Sequence, residues 1–584
     1  MRFNSIFIIF ESFIDNKVTT NIPMKKLFAV MVLTALWGVH SFACTNVIVT
    51  AGASSDGSVM VTYAADSHQL YGELYFHPAK NWDEGSMLKV YNWDEGNYMG
   101  SIRQVPKTFQ TVGNMNEHQL MITETTFGGR EELWHGAGVM DYGSLIYITL
   151  QRARTAREAI EIMDELMQTY GYPSEGESFS IADKFEAWIM EVVSKGDGSG
   201  SVWVARRVPD GYICAHANQA RITTFPMDDA DNCLYSPDVI SFARSKGWYS
   251  GEDKDFSFSD VYNPVDFGGA RFCDSRAWAA FNILCDGKFT WEDADGEHTA
   301  ASEDYLDYAM GHNLSHRMPL WVKPEKKVTL SSLADVMRDH FEGTPMDMTQ
   351  DVGAGCSSTP YRWRPMEWEI DGQKYVHERA IATQQTGFWI LCQAREWLPD
   401  EVGGILWFGV DDAATSALTP VYTNINAVPL VFAEGNGSMT EYSDTSAFWQ
   451  FNKVTHFAYL FYDRVAPVLR EEIKAYEELC LKSVKETDAK ALYYLERNRR
   501  RRAIREITEA TSRLATHLIV RWKELEKQLL VDYMDGNVKK KDADGSYLMN
   551  TPGTRIPASP GHPEQRERWL RGIVQDHGET LKAE

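Results

Sequence analysis

The chain of 584 residues carries a formal net charge of −24, and 44% of its residues are hydrophobic. This length and apolar fraction allow one large globular domain and a smaller one. The negative charge argues against nucleic acid or an anionic membrane surface as a partner, because both would repel an acidic protein.

The first predicted element is a secretion signal that ends before Cys44. A short basic segment begins at Met24, an apolar run covers 27–39, and a small-residue cleavage site follows at 41–43. The apolar run is too short to span a membrane. We expect translation to begin at Met24 and residues 1–43 to be removed as a signal peptide or propeptide, so that the protein is exported to the periplasm or the extracellular space.

A bacterial lipoprotein signal is the alternative interpretation, because a lipidated cysteine also follows a leader. Lipoprotein processing favours an aliphatic residue three positions before the cysteine and a small residue two positions before it. Ser41 and Phe42 occupy those positions. The sequence therefore disfavours a lipid anchor on Cys44.

Removal of the leader would make Cys44 the first residue of the mature protein. An N-terminal cysteine carries its own base, because its thiol and α-amine have reference pKa values of roughly 8.5 and roughly 8, and the amine can accept the thiol proton. Cys44 is thus a candidate nucleophile that needs no distant histidine. The other cysteines contain no C-x-x-C pair, which argues against a disulfide framework and leaves a single bridge open. Cys214 and Cys392 lie in apolar runs typical of buried free thiols.

A hairpin is predicted directly after the cleavage site. The run 44–50 has strand character, 54–57 is a turn, and 58–64 returns as a second strand. The start of a strand is a rigid mount for a catalytic group. A buried cysteine that merely begins a strand is the alternative.

The segment 119–217 combines strands with one amphipathic helix. Thr155 and Glu158 form a capping-box signature, apolar residues follow at helical spacing, and Gly171 ends the helix. Strands are predicted at 119–125, 179–182, 187–193, 202–206 and 212–217, with Pro209-Asp210-Gly211 as the turn between the last two. This order predicts an α+β fold in which helices cover antiparallel sheets.

The sequence changes character near residue 454. Helical periodicity covers 456–476 and 488–533, and the arginine run 499–502 lies among glutamates, as expected of a solvated helix face. Prolines and lysines beyond Asp535 indicate irregular structure. The predicted organisation is a leader at 1–43, a catalytic domain at 44–453, a helical C-terminal extension at 454–534 and an irregular tail at 535–584.

Motifs for metal, nucleotide and serine-hydrolase chemistry are missing from the sequence. It contains no H-E-x-x-H, no P-loop and no G-x-S-x-G element. Acidic clusters at 228–231 and 293–296 miss the spacing of a calcium loop. We predict no cofactor and no metal.

A series of short segments carries a family resemblance. In chain order they are Cys44-Thr45-Asn46, Ser55-Asp56-Gly57-Ser58, Asp66-Ser67, Asn116-Glu117-His118, Ile181-Ala182-Asp183, Val208-Pro209-Asp210-Gly211-Tyr212, the run 216–222, the run 339–345, Trp407-Phe408-Gly409 and the run 448–452. Together they resemble the dipeptidase family of N-terminal-nucleophile (Ntn) hydrolases over about residues 44–530. The resemblance implies a four-layer αββα sandwich and hydrolysis of short peptides, typically dipeptides.

The resemblance also implies roles for four residues. Cys44 would attack the scissile carbonyl and form an acyl-enzyme. Asp66 would orient the cysteine amine, and Asn218 would donate to the oxyanion. Arg276 would hold the thiolate or a substrate carboxylate. The structural alternatives are a cap or turn for Asp66, a turn for Asn218 and a surface salt bridge for Arg276.

The sequence departs from the family pattern in two places. Tyr63 and Ala64 stand where relatives commonly show Arg-Asn, which removes the usual electrostatic support of the thiolate. Thr126 stands where related amidases place an oxyanion asparagine, so a backbone N–H or a hydroxyl would replace that donor.

We therefore predict a secreted cysteine dipeptidase that acts on dipeptides or short peptides. An Ntn amidase acting on N-acyl amino acids and a non-enzymatic lipoprotein lipidated on Cys44 are the alternatives. We predict no nucleic-acid partner and no integral membrane segment after removal of the leader. A homo-oligomer is left open, as is the agent that cuts before Cys44.

Overall fold

The computed structural model describes residues 44–134, 137–362, 367–561 and 565–583. The predicted leader, residues 1–43, and its cleavage site lie outside the described residues.

The described chain contains the following strands and helices. The strands are β1 (Asn46–Val49), β2 (Val59–Asp66), β3 (Phe76–His77), β4 (Lys80–Asn81), β5 (Met87–Tyr91), β6 (Tyr98–Arg103), β7 (Lys107–Thr108), β8 (Thr111–Val112), β9 (Met115–Asn116), β10 (Met121–Gly128), β11 (Gly176–Ala182), β12 (Ala187–Ser194), β13 (Ser201–Arg207), β14 (Ile213–His216), β15 (Cys233–Tyr235), β16 (Lys288–Asp293), β17 (Gly296–Ala301), β18 (Trp321–Val322), β19 (Glu367–Ile370), β20 (Gln373–Val376), β21 (Thr386–Ala394), β22 (Gly404–Val410) and β23 (Thr419–Tyr422). The helices are α1 (Tyr142–Leu150), α2 (Ala156–Tyr170), α3 (Val239–Ser245), α4 (Phe258–Tyr262), α5 (Ser275–Leu284), α6 (Leu306–Ala309), α7 (Leu330–Val336), α8 (Asp400–Gly403), α9 (Ala447–Leu460), α10 (Tyr462–Leu495), α11 (Arg500–Tyr533) and α12 (Glu567–Leu581).

A seven-stranded antiparallel sheet has the order β18-β14-β1-β2-β21-β22-β23. The predicted hairpin, β1 and β2, forms its centre, with Ile48 opposite Val61. Both strands are buried along their whole length, as expected of apolar strands covered on both faces. In the turn between them, Gly57 has a φ of 83° and the Asp56 carboxylate accepts from the Ser58 N–H at 3.0 Å. The hairpin prediction is confirmed.

An eight-stranded antiparallel sheet has the order β15-β13-β12-β11-β10-β9-β8-β3. Its strands include four that the sequence predicts, β10 to β13. The turn at 209–211 joins β13 to β14, but these strands lie in different sheets. The turn therefore carries the chain from one sheet to the other and does not form a hairpin. The Asp210 carboxylate fixes it there by accepting from the Gly52 N–H at 2.6 Å.

Polar contacts connect the two sheets beside the start of β1. Asn46 Nδ2 donates to the carbonyl oxygen of Glu124 on β10 at 2.6 Å. The His216 ring on β14 bridges the hydroxyls of Thr125 and Ser180, each at 2.7 Å. Burial lowers the pKa of His216 to about 3, so the ring is neutral. These contacts fix where β10 lies relative to β1.

Helices contact both sheets. Helices α1 and α2 contact β10, β11 and β13, whereas α5 contacts β14 and α10 and α11 contact β23. The predicted capped helix is α2, because Thr155 Oγ1 accepts from the Glu158 N–H at 3.2 Å and Gly171 ends the helix. The mixed α+β class is confirmed, and the four-layer order stays a prediction.

The C-terminal helices break at other positions than the periodicity predicts, because the predicted helices 456–476 and 488–533 are interrupted at Phe461 and at 496–499. Helix α10 runs unbroken through 477–487, where buried polar residues interrupt the apolar pattern. One of them, Glu477, accepts from Arg338 at 2.6 Å and from the Leu418 N–H at 3.0 Å. The prediction that the tail is irregular throughout is wrong, because α12 lies within it. Its described prolines all precede α12, so none of them interrupts the helix.

All eight cysteines are free, so the single bridge that the sequence leaves open is absent. Cys214 and Cys392 are fully buried, as predicted. Within the described ranges, no helix combines the length and apolarity needed to cross a bilayer.

Candidate active site

Cys44 lies two residues before the first residue of β1, between the two sheets, and is 4% exposed. Its neighbour Thr45 bridges to Ala64 of β2, with the Ala64 N–H donating to the Thr45 carbonyl at 3.1 Å. Cys44 Sγ lies 3.6 Å from Glu124 Oε1 on β10 and 3.8 Å from the Tyr63 hydroxyl on β2. The thiol is therefore enclosed by groups from both sheets.

The surroundings of the thiol favour its neutral form. Burial raises the pKa of the Cys44 thiol well above its usual range, and the negative charges of Glu124 and Asp66 raise it further. Hydrogen bonding of the sulfur with the Asp66 backbone and with the Tyr63 hydroxyl opposes this effect. As long as Cys44 is linked to the preceding residue, its nitrogen is an amide and cannot act as a base. The thiol of the uncut chain thus stays protonated at neutral pH.

Arg276 holds the backbone of Cys44 in place. It lies at the start of α5, where the π-helix Gly269–Asp274 runs into that helix. Its Nη1 donates to the Cys44 carbonyl at 2.5 Å and to Thr45 Oγ1 at 2.9 Å. The residue is 1% exposed, so the surface salt bridge considered from the sequence is wrong. Burial lowers the pKa of Arg276 to about 10, which leaves the guanidinium charged at neutral pH.

Asn218 lies next to Arg276 at the loop that follows β14. Arg276 Nη2 donates to Asn218 Oδ1 at 2.7 Å, and Asn218 Nδ2 donates to the Thr126 carbonyl at 2.6 Å. Its φ of 63° is in the left-handed region, which asparagine tolerates better than most residues. Asn218 therefore combines a turn conformation with a position between Arg276 and β10.

Asp66 lies at the end of β2, where a register shift interrupts the pairing with β21. Its carboxylate forms a buried ion pair with Arg379 and accepts from Thr386 Oγ1 at 2.6 Å. The Asp66 backbone N–H faces the Cys44 sulfur. The structure thus brings Cys44, Asp66, Asn218 and Arg276 together, and their catalytic roles stay predictions.

Two carboxyls on the eight-stranded sheet form the acidic part of the site. Glu124 Oε1 accepts from the Tyr63 hydroxyl at 2.6 Å, and Glu177 Oε1 accepts from Thr126 Oγ1 at 2.5 Å. Within the described residues, the buried Oε2 atoms of Glu124 and Glu177 have no hydrogen-bond partner. Burial raises the pKa of Glu124 to about 7 and raises that of Glu177 well above its usual range. The charge of Glu124 raises the pKa of Glu177 further.

Sequence reasoning missed Glu124, Glu177 and Arg379. Glu124 lies inside a strand that is otherwise apolar or threonine-rich, and an acidic residue in a buried strand is a signal that could have found it. Arg379 lies in a loop with no such pattern. Tyr63, which departs from the family's sequence pattern, contacts both the Cys44 thiol and Glu124. The Thr126 hydroxyl, considered as an oxyanion donor, is engaged by Glu177.

Within the described ranges, no cluster of three or more histidine, cysteine, aspartate or glutamate residues is arranged to hold a metal ion.

Comparison with known proteins defines the class of this protein, which is a peptidase. The family model "Peptidase family C69" matches residues 43–475, and the chain belongs to this family, which is a dipeptidase family. The resemblance stated from the sequence is thereby confirmed.

Relatives of the chain share this assignment at low sequence identity. A "Probable dipeptidase" of Salmonella dublin is 23% identical over 68% of this chain and 85% of its own length. A "Probable dipeptidase" of Latilactobacillus sakei is 22% identical over 68% of this chain and 78% of its own length. A "Dipeptidase" of Bifidobacterium longum is 25% identical over 52% of this chain and 50% of its own length.

Proposed function

We propose that the protein is an exported cysteine dipeptidase with the four-layer Ntn-hydrolase fold. Its nucleophile is Cys44, which becomes the N-terminal residue when residues 1–43 are removed. The observation that carries this proposal is the setting of Cys44: a buried thiol at a strand start, with its own carbonyl held by Arg276 at 2.5 Å. The same guanidinium donates to Asn218 Oδ1 at 2.7 Å, so one buried charge connects Cys44 to the predicted oxyanion donor.

Removal of the leader supplies the base that the uncut chain lacks. Only two carbon atoms, Cα and Cβ, separate the freed α-amine from the sulfur, and the amine accepts the thiol proton. The thiolate attacks the carbonyl carbon of the scissile peptide, and a C–S bond forms. The α-ammonium then gives its proton to the leaving nitrogen as the C–N bond breaks. Water hydrolyses the resulting thioester by the same proton route and regenerates the thiol.

The neighbouring residues act on geometry and charge. Asp66 places a carboxylate near the α-ammonium and so fixes its direction, while Arg379 holds that carboxylate in a buried ion pair. Asn218 supplies an amide donor for the negative oxygen that forms during attack. Arg276 links Cys44 to Asn218 and keeps nucleophile and donor at a constant separation.

Replacement of Cys44 tests the proposal. We expect Cys44→Ala to lower kcat/KM for dipeptides by at least about 10⁴-fold, because the nucleophile is lost, with circular dichroism and Tm unchanged. Cys44→Ser should retain a trace of activity, since a hydroxyl is harder to deprotonate. Cys356→Ala changes a free, half-buried cysteine of another region and should leave hydrolysis intact. Dipeptide hydrolysis by Cys44→Ala at the wild-type rate would contradict the proposal.

A further inference from the structure

We infer that Glu124 is the binding site for the free α-ammonium group of the substrate. The enzyme would then select unblocked dipeptides over N-acylated ones. This inference rests on the proposed function, because it takes Cys44 as the attacking group.

The first argument is distance. In a dipeptide the α-nitrogen lies two bonds from the carbonyl carbon under attack, about 2.5 Å away, and that carbon approaches the sulfur to about 3–3.5 Å. The α-nitrogen must therefore come within about 6 Å of Cys44 Sγ. Glu124 Oε1 lies 3.6 Å from the same sulfur. A carboxylate at this position can contact the ammonium of a substrate that is bound for attack.

The second argument is charge. Within the described residues, neither Glu124 nor Glu177 forms an ion pair, whereas Asp66 on the other side of the thiol is paired with Arg379. Glu124 Oε1 accepts from the Tyr63 hydroxyl and from the Cys44 thiol, but neither donor carries a positive charge. A buried carboxylate without a cation is costly. A ligand with a cationic group would supply the missing charge.

The third argument concerns the nucleophile itself. The negative charge of Glu124 raises the pKa of the Cys44 thiol, which opposes formation of the thiolate. An ammonium bound to Glu124 cancels that charge and restores the thiolate. The α-ammonium of Cys44 balances the thiolate, so an N-acyl substrate, which carries no cation, would leave the Glu124 carboxylate uncompensated in a site where little water screens it. Substrate charge and nucleophile activation are thereby coupled.

The kinetic test compares an unblocked dipeptide with its N-acetyl form. Alanylalanine and leucylalanine serve as probes, each with its acetylated counterpart, and the result is the ratio of their kcat/KM values. We expect a ratio above about 100 for the wild type, because a charge-assisted contact is lost on acetylation. In Glu124→Gln the ratio should fall at least tenfold, through loss of activity on the unblocked peptide. Equal loss on both peptides, or an unchanged ratio, would overturn the inference.

Two further variants control for folding and for local disturbance. Glu177→Gln alters the neighbouring carboxyl without removing the Glu124 charge, and it should keep a ratio near the wild-type value. Glu124→Asp keeps the charge on a shorter side chain and should retain more of the ratio than Glu124→Gln. A ratio that falls as far in Glu177→Gln as in Glu124→Gln would also contradict the assignment. Tm values of all variants identify any that fail to fold.

Binding to an inactive protein separates this inference from the proposed mechanism. In Cys44→Ala, calorimetric titration should show that acetylation weakens binding of the dipeptide at least tenfold. In the double variant with Glu124→Gln that difference should fall below about threefold. Full activity of Cys44→Ala would refute the mechanism without bearing on this binding result. Equal weakening by acetylation in both proteins would refute the subsite while leaving the nucleophile intact.

Discussion

The two sides of Cys44 hold buried carboxyl groups in opposite electrostatic settings. On the seven-stranded sheet, Asp66 is paired with Arg379 and accepts from Thr386. On the eight-stranded sheet, Glu124 accepts from the Tyr63 hydroxyl, and within the described residues neither Glu124 nor Glu177 forms an ion pair. Burial is nearly complete on both sides, so the difference lies in the partners and not in access to water.

This difference shows on which side of Cys44 the buried carboxylate already has a cationic partner. A buried carboxylate with a guanidinium partner stays ionised and fixes its surroundings, whereas one without a cation tends to take up a proton. The raised pKa of Glu124, about 7, follows from burial without a compensating charge. We interpret the Asp66 side as the scaffold of the nucleophile and the Glu124 side as the place where substrate charge completes the site.

Asp66→Asn should have the largest effect on activity and stability, because it removes the carboxylate of the buried ion pair with Arg379. The substitution leaves the buried guanidinium of Arg379 without its carboxylate, and removing one partner of a buried ion pair costs about 3–5 kcal/mol of stability. We expect kcat/KM to fall by about 10³-fold as the amine of Cys44 loses its orientation. Urea denaturation and dipeptide assays measure the two effects. Asp56→Asn, the same change in the exposed turn of the hairpin, should alter neither.

Arg276→Lys should have an intermediate effect. Lysine keeps a positive charge but lacks the planar fork that reaches the Cys44 carbonyl and Asn218 together. We expect kcat/KM to fall by about 10–100-fold, with kcat affected more than KM. Arg395→Lys is the matched control, because Arg395 is also buried and also donates to backbone carbonyls but follows the far end of β21. If both variants lost activity equally, Arg276 would have no special role at the nucleophile.

Tyr63→Phe should have the smallest effect of the three. It removes the hydroxyl that donates to Glu124 at 2.6 Å and leaves the carboxyl with one donor fewer. A buried group that loses a hydrogen bond costs about 1–3 kcal/mol, and we expect kcat/KM for unblocked dipeptides to fall about fivefold. Tyr71→Phe removes a buried hydroxyl elsewhere and should not change kinetics. A loss as large as that of Asp66→Asn would contradict the proposed contrast between the two sides.

Local patterns in the sequence predict several secondary-structure elements of the fold. The hairpin after Cys44 and helix α2 follow from strand character, turn residues and capping, all of which act between residues close in sequence. The sheet change at 209–211 could not be predicted in this way, because a turn motif does not record which strand pairs with which. The break predicted at 477–487 does not form, because Glu477 is buried with long-range partners, and the chain breaks at 496–499.

The site residues also divide into those that motifs in the sequence indicate and those that depend on long-range contacts. Cys44, Asp66, Asn218 and Arg276 could be proposed from a leader and from family motifs. Arg379 contacts Asp66 across more than 300 residues of chain, and no local pattern indicates such a contact. Glu124 could have been suspected only as an acid in a buried strand.

The mass of the mature amino terminus tests the central claim most directly. The active protein, purified from the exported fraction and assayed on dipeptides, is measured intact and after proteolysis. We predict a terminus at Cys44 with a free amine and no lipid. A fully active protein that retains residues before position 44, or whose Cys44 carries a lipid, would contradict the account.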